Sequence, residues 1–315
     1  MNDVIKICFS DFWAFFDYHD NFMTRIMKKR FNVVIDDINP DYVIYSTYGT
    51  NFLKYKNSVR VVYLAENVRP NYCECDFSIG FDYSSFGGRN FRFPLYVMYG
   101  FVPQLLEKKD PDTILAEKPY FCNMVVSNAS SKKRIEFFKL LNKYKQVDSG
   151  GKVLNNIGGI VDNKLNFIKN YRFSMAFENS SYPGYTTEKI IEPMKVNSIP
   201  IYWGNKFIGN EFNEKSFINV HAYRSLKEAA EAVIELDNDH KKLSNIIQEP
   251  WFKENKVSKY FDESNLCDFF ENQVFQKKLK DGNSYLNLRN IIAVSNTVRK
   301  KIKSKLLQKA YCHVS

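Results

Sequence analysis

Short apolar runs alternate with amphipathic stretches along the first third of the chain. Residues 4–9, 32–35, 42–45 and 59–64 are brief, rich in Val, Ile and Tyr, and separated by more polar sequence. Runs of that length and composition predict strands. Residues 21–30 read as a helix, and residues 77–82 offer a further strand. The alternation predicts βα units on a largely parallel sheet. A charge-rich stretch at residues 107–112 interrupts the pattern and reads as a linker.

Beyond it the alternation restarts. Residues 121–127 form a strand pattern, and residues 132–144 place Ile135, Phe138, Leu140 and Leu141 at helical spacing behind a Ser130 or Ser131 cap. Gly150-Gly151 turns the chain. Helices are then expected over 162–170, 187–196 and 225–236, and strands over 173–177 and 199–203. The expected fold is α/β. Two βα domains in series, residues 1–115 and 116–275, are expected, each able to carry helices on both faces of a sheet. Such sheets bind ligands at the carboxyl ends of their strands, and a pair of them makes a cleft.

The segment 276–315 has a different pattern. Ile291, Val294, Val298, Ile302 and Leu306 recur at intervals of three and four. Residues 289–310 hold seven basic side chains and no acidic one, against a net charge of +10 for the whole chain. A basic amphipathic C-terminal helix is therefore expected, lying on a membrane surface or packing back on the body. The same charge suits nucleic acid, but no nucleic-acid-binding motif accompanies it, so no nucleic-acid partner is expected.

The remaining composition changes little. A length of 315 residues suits two ordinary domains. Aromatic residues make up 16%, enough to stack on sugars or bases, although AT-rich coding would enrich them equally. No signal peptide and no apolar stretch of the ~18 residues a spanning helix needs is visible. Six cysteines are scattered, with C-x-C at Cys73 and Cys75 the only close pair. Free thiols in a reducing cytoplasm are the expectation.

Candidate chemistry begins with metal. The four histidines are far apart, and the two D-x-D triplets, at 110–112 and 237–239, fall in the linker and at a helix end. No essential metal and no cofactor are expected. Lys189 falls in the first turn of the helix beginning near Thr186 or Thr187, where free N–H groups and the helix dipole favour an anion. Taken alone, Thr187-Glu188-Lys189 reads as a capped, charged helix start. Glu66 ends an apolar run, at the carboxyl end of a strand, where it either caps a loop or serves as a catalytic carboxylate.

The longest signal joins these parts. Tyr171-Arg172-Phe173-Ser174-Met175-Ala176-Phe177-Glu178-Asn179-Ser180, then Gly184-Tyr185-Thr186-Thr187-Glu188-Lys189-Ile190, then Ile199-Pro200-Ile201-Tyr202-Trp203-Gly204 resembles the α1,3-fucosyltransferase signature of glycosyltransferase family ten. Tyr63-Leu64-Ala65-Glu66-Asn67, residues 76–82 and Arg92-Phe93-Pro94-Leu95-Tyr96 are similar to the acceptor-domain segment of its bacterial members. Residues 121–128 followed by Arg134 resemble the opening of their donor domain, and residues 216–220 continue the likeness. It covers roughly residues 41–252.

The resemblance implies a GT-B fold of two Rossmann-like domains, acceptor-binding over residues 1–115 and nucleotide-sugar donor-binding over 116–275, with an inverting mechanism and GDP-fucose as donor. It implies an oligosaccharide acceptor containing GlcNAc, an α1,3 linkage and a role in surface polysaccharide or lipopolysaccharide. A transferase using another GDP-deoxyhexose, or forming another linkage, is the alternative. Matched residue by residue, Glu66 falls where the family places its general base. Arg134 and Lys189 fall on contacts to the donor's phosphates; Asn179, Tyr185 and Glu188 fall on further donor contacts, with Glu178 beside them. Ala65 departs from the Gly that bacterial relatives often carry, and the heptad repeats that some carry near the C-terminus are missing. The expected location is the cytoplasm, peripheral on the inner face of the membrane through the basic helix.

Overall fold

A computed structural model describes residues 3–277, 290, 291 and 293–296. It divides into two compact units. The first comprises Met1–Gly80, Ser84–Phe93 and Asp262–Ser315, so far as these are described; the second comprises Phe81–Tyr83 and Pro94–Phe261.

The first unit is built on six parallel strands: β1 (Ile5–Ser10), β2 (Val33–Ile35), β3 (Tyr42–Tyr45), β4 (Val59–Tyr63), β5 (Phe77–Gly80) and β6 (Asn90–Arg92). Their order is β2-β1-β3-β4-β5-β6. β4 and β5 are buried along their whole lengths, as parallel strands covered on both faces must be. The helix expected over 21–30 is α1 (Phe22–Lys28). Asn21 caps it by accepting from the Met23 and Thr24 backbone N–H groups, while the Thr24 hydroxyl accepts from the Asn21 N–H at 2.8 Å. Because the chain doubles back at the far side of β1, the carboxyl ends of β1 and β3 flank a topological switch point.

The second unit repeats the plan with helices α2 (Leu95–Met98), α3 (Pro111–Ala116), α4 (Lys132–Tyr144), α5 (Lys164–Ile168), α6 (Glu188–Lys195), α7 (Leu226–Asn238) and α8 (His240–Gln248). Its parallel strands are β7 (Tyr120–Met124), β8 (Val147–Ser149), β9 (Tyr171–Phe177), β10 (Ile199–Trp203) and β11 (Ile218–Asn219), ordered β11-β10-β9-β7-β8. Alternate residues of β9 face opposite layers. Phe173, Met175 and Phe177 pack with side chains of α4, α7 and α8, whereas Ala176 packs with Ile190, Ile191 and Met194 of α6. The switch point here lies between β7 and β9.

Two expectations need correction. The stretch 107–112 is not a solvated linker: it lies within the second unit, Asp110 precedes α3, and Lys109 is buried with its ammonium 3.2 Å from the centre of the Trp251 ring. The chain also leaves the second unit at Phe261. The helix that follows, α9 (Ser264–Phe269), packs in the first unit, whereas the sequence reading kept residues up to 275 in the second domain. Phe269 meets Phe77 and Phe91, and Phe275 meets Phe31 and Tyr42. These apolar contacts join residues remote in sequence, which local patterning does not record.

Of the basic amphipathic tail, most lies outside the described residues. Asn290, Ile291 and residues 293–296 are helical. Among the described residues no helix is long and apolar enough to cross a membrane.

Candidate functional site

β9 delivers its last side chains to the switch point of the second unit. Immediately after it, Glu178 is fully buried, its backbone N–H donating to the Trp203 carbonyl on β10 at 2.8 Å. One Glu178 oxygen accepts from the Thr187 backbone N–H and the other from the Thr187 hydroxyl, both at 2.7 Å. The close approach of β10 depends on Gly204, where a Cβ would stand 2.4 Å from the Glu178 side chain.

Thr187 is the N-cap of α6, its hydroxyl oxygen accepting from the Lys189 backbone N–H. The Lys189 ammonium reaches back to the Thr187 hydroxyl at 3.0 Å and to Glu188 at 3.2 Å, with Glu178 at 3.5 Å. Burial pulls the Lys189 pKa down, but Glu178 and then Glu188 outweigh it, and the ammonium is held more firmly charged than usual. Burial pushes Glu178 up against the pull of Lys189. Glu188 is also driven up by burial, yet Lys189 and Lys164 prevail and hold it low.

Arg134, in the first turn of α4, closes the switch point from the other side. Its guanidinium donates to the Phe177 carbonyl at 2.6 and 3.2 Å, to the Asn179 side-chain oxygen at 2.8 Å and to the Asn128 carbonyl at 2.9 Å. One side chain thereby ties the ends of β7 and β9. Burial lowers its pKa, but a guanidinium starts so high that it stays charged.

The structure thus gathers Arg134, Glu178, Asn179, Glu188 and Lys189 at one end of one sheet. Tyr185 lies in the same loop with its ring buried against Phe81, at 4.9 Å between centroids. Glu66 belongs to the first unit, exposed just beyond β4.

Sequence reasoning missed Asn205. It is fully buried and accepts from the Gly184 and Phe207 N–H groups while donating to the hydroxyls of Thr186 and Tyr83. It fixes the loop that presents Tyr185 and Thr187. The available signal was its place directly after the strand pattern ending at Trp203-Gly204. Both D-x-D triplets have other work: Asp110 pairs with Thr113, Asp237 is buried against Arg172 and Lys145, and Asp239 caps α8. Among the described residues no three His, Cys, Asp or Glu side chains are grouped as a metal site.

Two doubly wound units, one with a cation-bearing switch point, make an α/β protein of the GT-B glycosyltransferase type. Residues 7–99 match the family model for the alpha-(1,3)-fucosyltransferase FucT N-terminal domain, and residues 115–291 match the glycosyltransferase family 10 (fucosyltransferase) C-terminal model. The chain belongs to glycosyltransferase family 10. It is 30% identical over 272 residues to the alpha-(1,3)-fucosyltransferase FucT of Helicobacter pylori, an alignment covering 73% of this chain and 56% of that protein. A putative fucosyltransferase of Acanthamoeba polyphaga mimivirus is 37% identical over 37% of this chain and 22% of its own length. The chain therefore spans about half or less of these relatives. A crystal structure of an alpha1,3-fucosyltransferase with GDP-fucose superposes with a TM-score of 0.74 at 25% identity, covering 89% of this chain and 93% of that one.

Proposed function

We propose that this protein transfers L-fucose from GDP-fucose to a GlcNAc-containing oligosaccharide, with inversion and in α1,3 linkage, during synthesis of a surface polysaccharide or lipopolysaccharide. The observation that carries the reading is the Lys189 ammonium, held charged at the N-terminus of α6 among the residues that match the family signature. The Helicobacter pylori relative is an alpha-(1,3)-fucosyltransferase and the solved alpha1,3-fucosyltransferase holds GDP-fucose, which supports the donor and linkage proposed for this chain.

Inversion needs one displacement at the anomeric carbon, hence one base and one stabilised leaving group. Glu66 takes the proton from the acceptor hydroxyl as that oxygen attacks. The C–O bond to the diphosphate breaks, and Lys189 and Arg134 offset the charge that collects on GDP. With two cations in place, no metal is required for the leaving group. Arg134 reaches the donor with little freedom, since its donors already hold three carbonyl-type oxygens. Glu178, wholly buried, serves by holding Thr187 and Lys189.

Incubation with GDP-fucose and a panel of lactosamine acceptors, followed by linkage analysis, tests the proposal. An α1,3-fucosylated product is expected. Faster transfer from another GDP-deoxyhexose, or another linkage, would replace it with the alternative.

The location proposed is cytoplasmic and peripheral on the inner membrane face, through the basic C-terminal segment. Support comes from where that segment starts. Asn290 and Asn296 bond to Arg60 and Glu74, while Ile291 and Val294 are 64% and 50% exposed. Salt-sensitive cosedimentation with anionic vesicles is the expected result, and its absence would remove the membrane contact.

A further inference from the structure

The first unit has a switch point of its own, between β1 and β3, and aromatic rings crowd it. We propose that Trp13, Phe16 and Tyr48, beside Glu66, form a stacking platform for a pyranose ring of the acceptor oligosaccharide. This rests on reading the protein as a glycan-modifying transferase, and assigns that reading a place and a set of side chains.

The platform is built. Asp11, buried and at φ 58°, accepts from the Asn51 and Phe52 N–H groups at 2.9 and 2.8 Å, and its own carbonyl accepts from the Tyr48 N–H at 3.1 Å. A Cβ on Gly49 would stand 2.2 Å from the Asp11 carboxylate, so only glycine allows this approach. The loop after β3 is thereby bolted to the loop after β1. Beneath them Phe12 is buried, stacked on Phe16 at 3.9 Å and on the fully buried Tyr63 at 5.8 Å.

Above this base the rings reach solvent. Trp13 meets Phe16 edge-on at 5.1 Å and Tyr48 at 6.3 Å, and both Trp13 and Phe16 are half-buried. Tyr48 is 50% exposed. Burying such rings further costs little conformational entropy, and their faces suit the apolar C–H side of a sugar.

Glu66 places the reaction beside them. Tyr45 is opposite Val62 in the sheet, so residues 46–48 and 64–66 leave it side by side, and the Ser46 hydroxyl donates to the Tyr63 carbonyl at 2.9 Å. Burial and, after it, the Glu66 carboxylate push the Tyr48 hydroxyl upward, which marks the two groups as neighbours. A ring lying on the edge made by Trp13 and Tyr48 therefore brings its hydroxyls toward Glu66.

Phe15, fully exposed at the loop tip, raises the rival of a lipid contact. The local charge opposes it. Residues 11–20 contain Asp11, Asp17 and Asp20 and neither Lys nor Arg, although Arg25 of α1 pairs with Asp20 at 3.1 Å. Anionic headgroups are repelled by such a rim, whereas neutral hydroxyls can donate to it.

The test is titration of the full chain with N-acetyllactosamine, read by saturation-transfer NMR and by the acceptor KM, with GDP affinity measured in parallel. Trp13→Ala and Tyr48→Ala should each weaken acceptor binding roughly tenfold or more, as loss of an aromatic anchor does, with GDP affinity unchanged. Trp13→Phe should restore most of it. Tyr48, being exposed, keeps the test valid where Trp13→Ala loosens the loop. Wild-type affinity in both alanine variants overturns the platform, as does a wild-type protein that does not bind lactosamine. Loss of vesicle binding in Phe15→Ala and Trp13→Ala with glycan binding intact makes the cluster a lipid contact instead. GDP-fucose turnover and GDP binding judge the transferase reading separately, so the two failures do not look alike.

Discussion

Lys189 is held by Thr187 and flanked by two carboxylates, so its charge is placed before any ligand arrives. Lys189→Ala should weaken GDP binding by calorimetry, and unchanged affinity would remove it from the phosphate site. Glu66→Gln should lower kcat by about 10²–10⁴, the usual share of general-base catalysis, while GDP affinity stays. A near-wild-type rate would release Glu66 from that role. Lys109 offers a pH test away from the chemistry. Burial pulls it from 10.5 to about 7, although the Trp251 face beneath it favours the charged form. Between those values the unfolded chain binds a proton that the folded one does not. Its contribution should therefore make stability rise with pH from about 7 to about 10.5. Lys109→Met should flatten that slope in denaturant melts; an unaltered slope would show that Lys109 titrates normally. At this scale the sequence was only partly legible. Glu66 and Lys189 were singled out only through a family likeness, because spacing alone does not separate a phosphate site from a capped helix. Asn205 and Lys109 escaped because their partners, Gly184 and Trp251, are brought to them only by folding.

Among the elements, the junction of β9 with α6 is the most informative. The Thr187 hydroxyl caps the helix and satisfies one oxygen of Glu178. Thr187→Val should cost about 1–2 kcal/mol for the cap, and more for the stranded carboxylate. The measurable signs are a lower denaturant midpoint and weaker GDP binding, with Thr187→Ser close to wild type. A Val variant as stable as the parent would show that Glu178 needs no such partner. Long elements were readable from periodicity: α4 and β10 have the boundaries expected of them. β6 and β8 were not: unlike the equally short β2, Asn90-Phe91-Arg92 and Val147-Asp148-Ser149 hold one large apolar side chain each, so the sheet rather than the segment decides them.

For the molecule as a whole, two doubly wound sheets were legible because strand–helix alternation leaves few other topologies. The return of the chain to the first unit was not. Leu266, Cys267, Phe269, Phe270 and Val274 are all buried there. At roughly 1.5–3 kcal/mol per large apolar side chain, their removal approaches the ~5–15 kcal/mol that typically holds a domain folded. A chain ending at Phe261 should therefore lose the cooperative melt of the first unit and keep that of the second. Protection of β1 and β4 amides from exchange in that truncated chain would refute this.

That return also sets an order of events during synthesis. The six strands of the first unit are translated before those of the second, but α9, which packs on them, is translated after the second unit. The second unit has all its strands once Phe261 is out. The strands of the first unit are therefore expected to wait without α9 while the second unit folds. Vectorial synthesis ordinarily favours the domain translated earlier; here the order is expected to reverse, and a holding chaperone would have its longest task on strands β1 to β6.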